Sequence, residues 1–351
     1  MKDWISTALH LIAHNGAVVL VTVARAEGST PREAGAKMLV AATEQRLTIG
    51  GGHLEWRAAD IARNMLQVGN TACGVERMAL GPSLGQCCGG VATLAFELLT
   101  ASDITWLQAL QQTLQAGRAC LRTRTLRGAN NGHAGPVSVT TLGPDDAWPS
   151  TGRHQRCVLT DMGGRLSMTE LLAPPEMHVV LFGAGHVGQA IVRVLATLPC
   201  TVTWVDERDA QFPGNVPESV TIEATDTPEA VIDQAPAGSF FLVMTHCHAL
   251  DQRLCQQIFR RDDFAYFGLI GSRSKRRKFE RRLTERGVPP ERLAQMTCPV
   301  GIEGILGKAP EIIAIAVVAQ LLQTQALRAR GEGNAAHLPM NMPMYISEES
   351  L

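Results

Sequence analysis

The stretch VVLFGAGHVGQAIVRVL, residues 179–195, decides the fold. An apolar strand-like run ends on Gly183, and Gly183, Gly185 and Gly188 form a GxGxxG spacing that opens a helical pattern. A helix that begins this way offers free backbone N–H groups and a partial positive charge to a diphosphate. The next strand, TVTWVDE, ends with Asp206 at the spacing of an acid that holds a ribose hydroxyl. Two readings stay open. The glycines accompany a bound dinucleotide, in which case Asp206 favours NAD(H) over NADP(H), or they pack helix on strand. His186 is unusual at its position for packing alone.

Strand-like and helix-like segments alternate from residue 175 onward, as in an open parallel sheet. Ligands bind such sheets at the carboxyl ends of the strands. Three polar loops should open there. MTHCHALD (244–251) brings His246, Cys247, His248 and Asp251, either for a metal or an anion or as caps of the following helix. RSKRRKFERR (273–282) begins with Arg273 and Lys275 beside the sheet edge, where they could meet a phosphate. CPVGIEGILGKAP (298–310) carries Lys308 and leads into a long apolar helix.

The double proline in ELLAPPEMH marks a domain boundary, giving 1–174, 175–330 and a loose tail, 331–351. The first part reads as helix 3–15, strands near 17–26, 36–42 and 46–50, a glycine-entered helix, two strands around a loop, a helix over 103–117, and hairpins from 118. Three glycine-rich loops stand out in it. GSTPREAG (28–35) makes a turn flanked by Arg32, within the stretch, and Lys37, just beyond it, and both read as surface charges. In IGGGHLEW (49–56), Gly50, Gly51 and Gly52 could cradle an anion, and Glu55 falls in the first turn of the helix that follows. LGPSLGQCCGG (80–90) sets Gln86, Cys87 and Cys88 among glycines. Adjacent thiols so placed admit a vicinal disulfide, soft-metal ligation, nucleophilic chemistry or inertness.

Composition narrows the classes. The chain has 351 residues, 45% hydrophobic, and a net charge of −1, so bulk electrostatics favour neither nucleic acid nor a membrane surface as partner. Nine irregularly spaced cysteines fit reduced thiols in the cytoplasm, not a disulfide scaffold. The longest apolar run, 312–319, is too short to span a bilayer, and the N-terminal stretch has no secretory pattern.

Taken in order, GSTPREAGAKMLV, IGGGHLEW, LGPSLGQCCGG, LFGAGHVGQA, MTHCHALD and CPVGIEGILGKAPEIIAIAVVAQLL resemble the successive motifs of the XdhC/CoxI family, over about residues 17–322. The resemblance implies an α/β chain with an N-terminal XdhC/CoxI-type domain followed by a C-terminal Rossmann-like domain with a parallel sheet. It also implies a chaperone more than an enzyme. Such a protein binds the molybdopterin form of the molybdenum cofactor, meets a cysteine desulfurase that installs the terminal sulfido ligand, and delivers the cofactor to the large, molybdenum-bearing subunit of xanthine dehydrogenase. Carried onto this chain, Cys87 and Cys88 are the expected molybdenum contacts. Gly50–Gly52, Gly183–Gly188, Arg273 and Lys308 become candidates for the phosphate, and a homo-oligomer is expected. Cys247 departs from the hydroxyl or acid usual in the family and puts a polar role there in doubt. The rivals are an NAD(P)-dependent oxidoreductase using Asp206 and the 246–251 loop, and a metal-handling protein using His246, Cys247 and His248.

Overall fold

The structure, a computed structural model, describes residues 4–69, 73–81, 89–127, 135–143, 146, 156–217 and 219–329. The chain is α/β and divides between Pro174 and Pro175 into two compact units.

The first unit runs α1 (Trp4–Asn15), β1 (Ala17–Glu27), β2 (Lys37–Val40), β3 (Gln45–Leu47), α2 (Gly52–Val68), β4 (Gly74–Ala79), β5 (Val91–Thr100), α3 (Ile104–Gln115), β6 (Cys120–Arg127), β7 (Val137–Thr141), β8 (Cys157–Met162) and β9 (Arg165–Leu172). Strand β1 is central to a five-stranded sheet of order β3-β2-β1-β5-β4. Successive strand side chains point to opposite faces. Val19, Val21 and Val23 therefore join Leu54, Ala58 and Ala62 of α2 in one core, while Val18 and Leu20 join Ile5 and Leu11 of α1 and Leu107 and Leu110 of α3 in another. Burial on both faces explains why VVLVTVA shows no polar alternation. The hairpins predicted beyond residue 118 do form as β6–β7 and β8–β9. Pairing of β6 with β9 fuses them into a second sheet, β7-β6-β9-β8.

The second unit runs β10 (Met177–Phe182), α4 (His186–Leu195), β11 (Cys200–Asp206), β12 (Val220–Ala224), α5 (Pro228–Gln234), β13 (Phe240–Val243), α6 (His248–Ile258), β14 (Tyr266–Leu269), α7 (Arg273–Thr284), α8 (Pro290–Leu293), β15 (Met296–Thr297) and α9 (Pro310–Ala329). All neighbouring strands are parallel, in the order β12-β11-β10-β13-β14-β15. The strand order reverses between β10 and β13, the switch point of a Rossmann fold. Val179, Leu181 and Trp204 face α4 and α9; Val180, Phe182 and Val205 face α6 and α7. Helix α9 is long and apolar enough to cross a membrane by length and composition, yet Ala314, Val317, Val318 and Leu321 pack into the core.

Candidate functional site

In the first unit the glycine-rich loops meet at one rim of the five-stranded sheet. A side chain at Gly90 would collide with the carbonyls of Glu27 and Ser29, and one at Gly50 would collide with Pro31. Loop 28–35 is thus wedged between the base of the cysteine loop and the triglycine turn. Leu80 donates its N–H to the Gly90 carbonyl at 2.8 Å, which closes that base. Gln86, Cys87 and Cys88 lie outside the described residues.

The triglycine turn differs from the open anion cradle that its sequence suggests. Gly50, Gly51 and Gly52 all have positive φ, which turns the chain so that successive amides converge. The converging amides hold the protein's own carboxylate. Oε1 of Glu55 accepts from the N–H groups of Ile49 (2.8 Å), Gly51 (2.9 Å) and Gly50 (3.2 Å) and from the Thr48 hydroxyl. Oε2 accepts from Gln45 at 3.0 Å. Burial raises the Glu55 pKa, but the hydroxyl and the three amides outweigh it and hold the carboxyl below the ordinary range. Glu55 therefore locks the turn, and the amides of Gly50 and Gly51 are already engaged. Beside it, His53 and Trp56 are exposed with ring centroids 5.2 Å apart, Trp56 at 64% exposure. Sequence reasoning passed over this pair, although Trp56 falls off the apolar stripe of Leu54, Ala58 and Ala62.

Lys37 is a second departure. It reads as a surface charge but is buried, bonded to Glu170 and, at 3.3 Å, to the Thr22 hydroxyl. Arg122 bridges Glu170 (2.7 Å) and Glu97 (2.6 Å), with all three side chains at most 1% exposed. This cluster ties the two sheets of the unit together and leaves Lys37 unavailable to a ligand.

In the second unit the predicted residues lie at the carboxyl ends of the strands. A side chain at Gly183 would strike the Met244 carbonyl, and one at Gly188 would strike the carbonyl of Gly183. Both glycines are demanded by packing. Gly185 instead faces open space at the N-cap of α4 and adjoins exposed His186. Asp206 is turned toward this loop. Its Oδ2 accepts from the Ala184 amide (2.7 Å) and the Arg208 guanidinium (3.0 Å); its Oδ1 accepts from Arg208 Nε (2.9 Å) and the Arg208 amide (3.0 Å). Burial raises its pKa, and the bonds from Arg208 and the Ala184 amide more than reverse this. The adjoining cavity, lined by Phe182, Asp206, Thr245 and His246, is about 10 Å³, room for one water.

Asp251 belongs to the support of this edge. It accepts from the Thr245 amide (3.0 Å) and hydroxyl (2.7 Å) and from Lys275 Nζ (2.7 Å), which also donates to the Ile270 carbonyl. Lys275, a candidate for phosphate by sequence, is spent on joining two loops. His246, Arg273 and Lys308 are exposed and have no side-chain hydrogen bond or ion pair among the described residues. His248 is exposed beside the Phe279 ring. No group of three or more His, Cys, Asp or Glu residues is arranged to hold a metal ion among the described residues, which removes the support expected for a His246–Cys247–His248 centre.

Fold and site together define a chain with a glycine-loop α/β unit and a Rossmann unit whose carboxyl edge presents exposed cationic and imidazole groups. The family described as the XdhC Rossmann domain matches residues 179–321, and the XdhC and CoxI family matches residues 11–78. The chain belongs to the XdhC and CoxI family. It is 24% identical over 326 residues to a probable xanthine dehydrogenase subunit of Bacillus subtilis, covering 88% of this chain and 93% of that one. It is 34% identical over 173 residues to YqeB of Escherichia coli, covering 47% of this chain but 30% of YqeB, so the match spans less than a third of that protein. A crystal structure described as a xanthine dehydrogenase from Bacillus halodurans shares the fold, with a TM-score of 0.73 and 21% identity over 95% of this chain and 99% of that one.

Proposed function

We propose that this protein is a xanthine dehydrogenase accessory factor that binds the molybdenum cofactor in its molybdopterin form. In this reading it shields the cofactor in the cytoplasm while a cysteine desulfurase partner supports sulfuration, then delivers it to the molybdenum-bearing subunit. The observation that carries the reading is the convergence of three glycine-rich loops at one rim, in a chain of this family, with the ends of the cysteine loop at that rim.

The donor chemistry fits in part. Cys87 and Cys88 would offer soft sulfur donors suited to molybdenum. The Glu55-filled turn does not serve as a phosphate cradle in the first unit. In the second unit, Gly185, His186, His246, Arg273 and Lys308 leave donors and positive charge free for an anion of the phosphate type. The cofactor supplies the redox-active metal and its sulfur ligand; the chain's residues bind it, exclude water and release it.

The direct experiment is purification from cells that make molybdopterin, followed by molybdenum and pterin analysis. Near-stoichiometric content, together with restored activity of cofactor-free xanthine dehydrogenase in proportion to the cofactor carried, is expected. Protein that is free of both after purification and after incubation with the cofactor defeats the reading.

A further inference from the structure

We infer that the Rossmann domain of this chain does not hold a dinucleotide, and that Asp206 serves as a clasp on the glycine turn, with Arg208 bonded where a ribose would be. The inference stands independently of the cofactor reading above.

An acid at the end of the second strand of a Rossmann fold recognises the ribose through lone pairs that are free and face a cleft. A carboxylate has about four such acceptor positions. In Asp206 all four are engaged: one by the Ala184 amide, one by the Arg208 amide and two by the Arg208 guanidinium. The Asp206 side chain is 3% exposed. An incoming ribose would have to break a charge-assisted, forked Arg–carboxylate pair, the stronger kind of hydrogen bond, and gain neutral hydroxyl bonds in return. The space next to the acid is also short. The cavity of about 10 Å³ compares with roughly 300 Å³ or more for a typical small-molecule pocket.

The glycine fingerprint does not argue the other way. Gly183 and Gly188 are fixed by the close approach of Met244 and by helix-on-strand packing, so two of the three glycines are required with or without a nucleotide. The clasp adds a further reason for the turn to persist. Through the Ala184 amide, Asp206 ties the end of β11 to the loop after β10, while Trp204 Nε1 donates to the Gly183 carbonyl at 3.1 Å from the same strand.

The test uses the full chain. NADH and NADPH are titrated with tryptophan-to-nicotinamide energy transfer as the readout, and NAD+ and NADP+ by calorimetry. No saturable binding up to about 1 mM is expected. In parallel, Asp206→Asn and Arg208→Ala are melted without nucleotide. Both should lower the melting temperature by a few degrees, and Arg208→Lys, which keeps one charged bond, should lie between Arg208→Ala and the wild type. Saturable binding of any of the four nucleotides below about 1 mM that Asp206→Asn abolishes overturns the inference. So does an unchanged melting temperature in Arg208→Ala, whose side chain is 38% exposed and whose folding is therefore not at risk.

Discussion

The carboxylate of Glu55 lies 2.9 Å from the amide nitrogen of Gly51, and the same oxygen gathers the amides of Ile49 and Gly50. A turn that could have bound a ligand's anion binds one from its own helix. Glu55→Ala leaves three converging amides and the Thr48 hydroxyl without their acceptor. Bonds to a charged group are worth about 1.5–3 kcal/mol, and water at this half-exposed rim replaces part of them. A loss of about 2 kcal/mol in urea denaturation is expected. The Glu55 pKa is lowered on folding, so the stabilisation is complete above the unfolded value of about 4.3 and disappears as pH falls through the folded one. The gap between wild type and Glu55→Gln should narrow on acidification below about pH 4; a gap that does not change with pH would show that the carboxylate charge is not what the amides hold.

Arg122→Ala should be among the most damaging substitutions in the first unit. It removes the partner that the two buried acids share, leaving Glu170 to Lys37 and Glu97 to Arg124 at 3.5 Å, and breaking a buried pair by removing one partner costs about 3–5 kcal/mol. Burial raises the pKa of Glu170, and the nearby charges of Lys37 and Arg122 outweigh it, so the net shift is downward and the cluster weakens in acid. Amide hydrogen exchange should report the loss first in β6 and β9. Equal protection of these strands in variant and wild type would mean that the apolar contacts alone dock the second sheet.

The Rossmann unit was legible in the sequence because its signals are local: a strand, a glycine turn and a helix within 179–195, with Asp206 one strand later. The roles that were not legible depend on distant partners. Lys37 meets Glu170 across 133 positions, and Lys275 meets Asp251 across 24. No periodicity reports such a pairing, so both lysines read as available charges. The role of Glu55 is hidden for a subtler reason. An acid in a first helical turn has an ordinary explanation in the helix dipole, and only the positive φ values at Gly50–Gly52 aim the amides back at it. Strand β15, at Met296–Thr297, is too short to carry any pattern.

The cations at the Rossmann edge should separate into two kinds. Lys275→Met leaves Asp251 buried without its ammonium partner and frees the 245–251 loop from the 270 loop, at an expected cost of about 3 kcal/mol. Arg273→Ala and Lys308→Ala remove exposed groups without partners among the described residues and should change stability by less than about 0.5 kcal/mol. If they serve an anionic ligand, the same two variants should weaken cofactor retention by several-fold. Thermal melts and molybdenum analysis on the same preparations distinguish the kinds; retention equal to wild type in the Arg273→Ala, Lys308→Ala double variant would remove both from the binding site.

Cys87 and Cys88 carry the sharpest test of the proposed function. They stand in LGPSLGQCCGG, whose ends are fixed at the rim by the Leu80–Gly90 hydrogen bond and by the contact of Gly90 with loop 28–35. Replacing both with serine exchanges two soft donors for hard ones, which suit molybdenum less well. Substitutions in a loop typically cost no more than about 1 kcal/mol, so the melting temperature should move little while cofactor retention falls at least several-fold. The Cys87→Ser and Cys88→Ser single variants, measured the same way, separate the contributions of the two thiols. Serine variants that melt lower but keep the same molybdenum per folded, monodisperse protein would assign the thiols to packing and end their role as ligands.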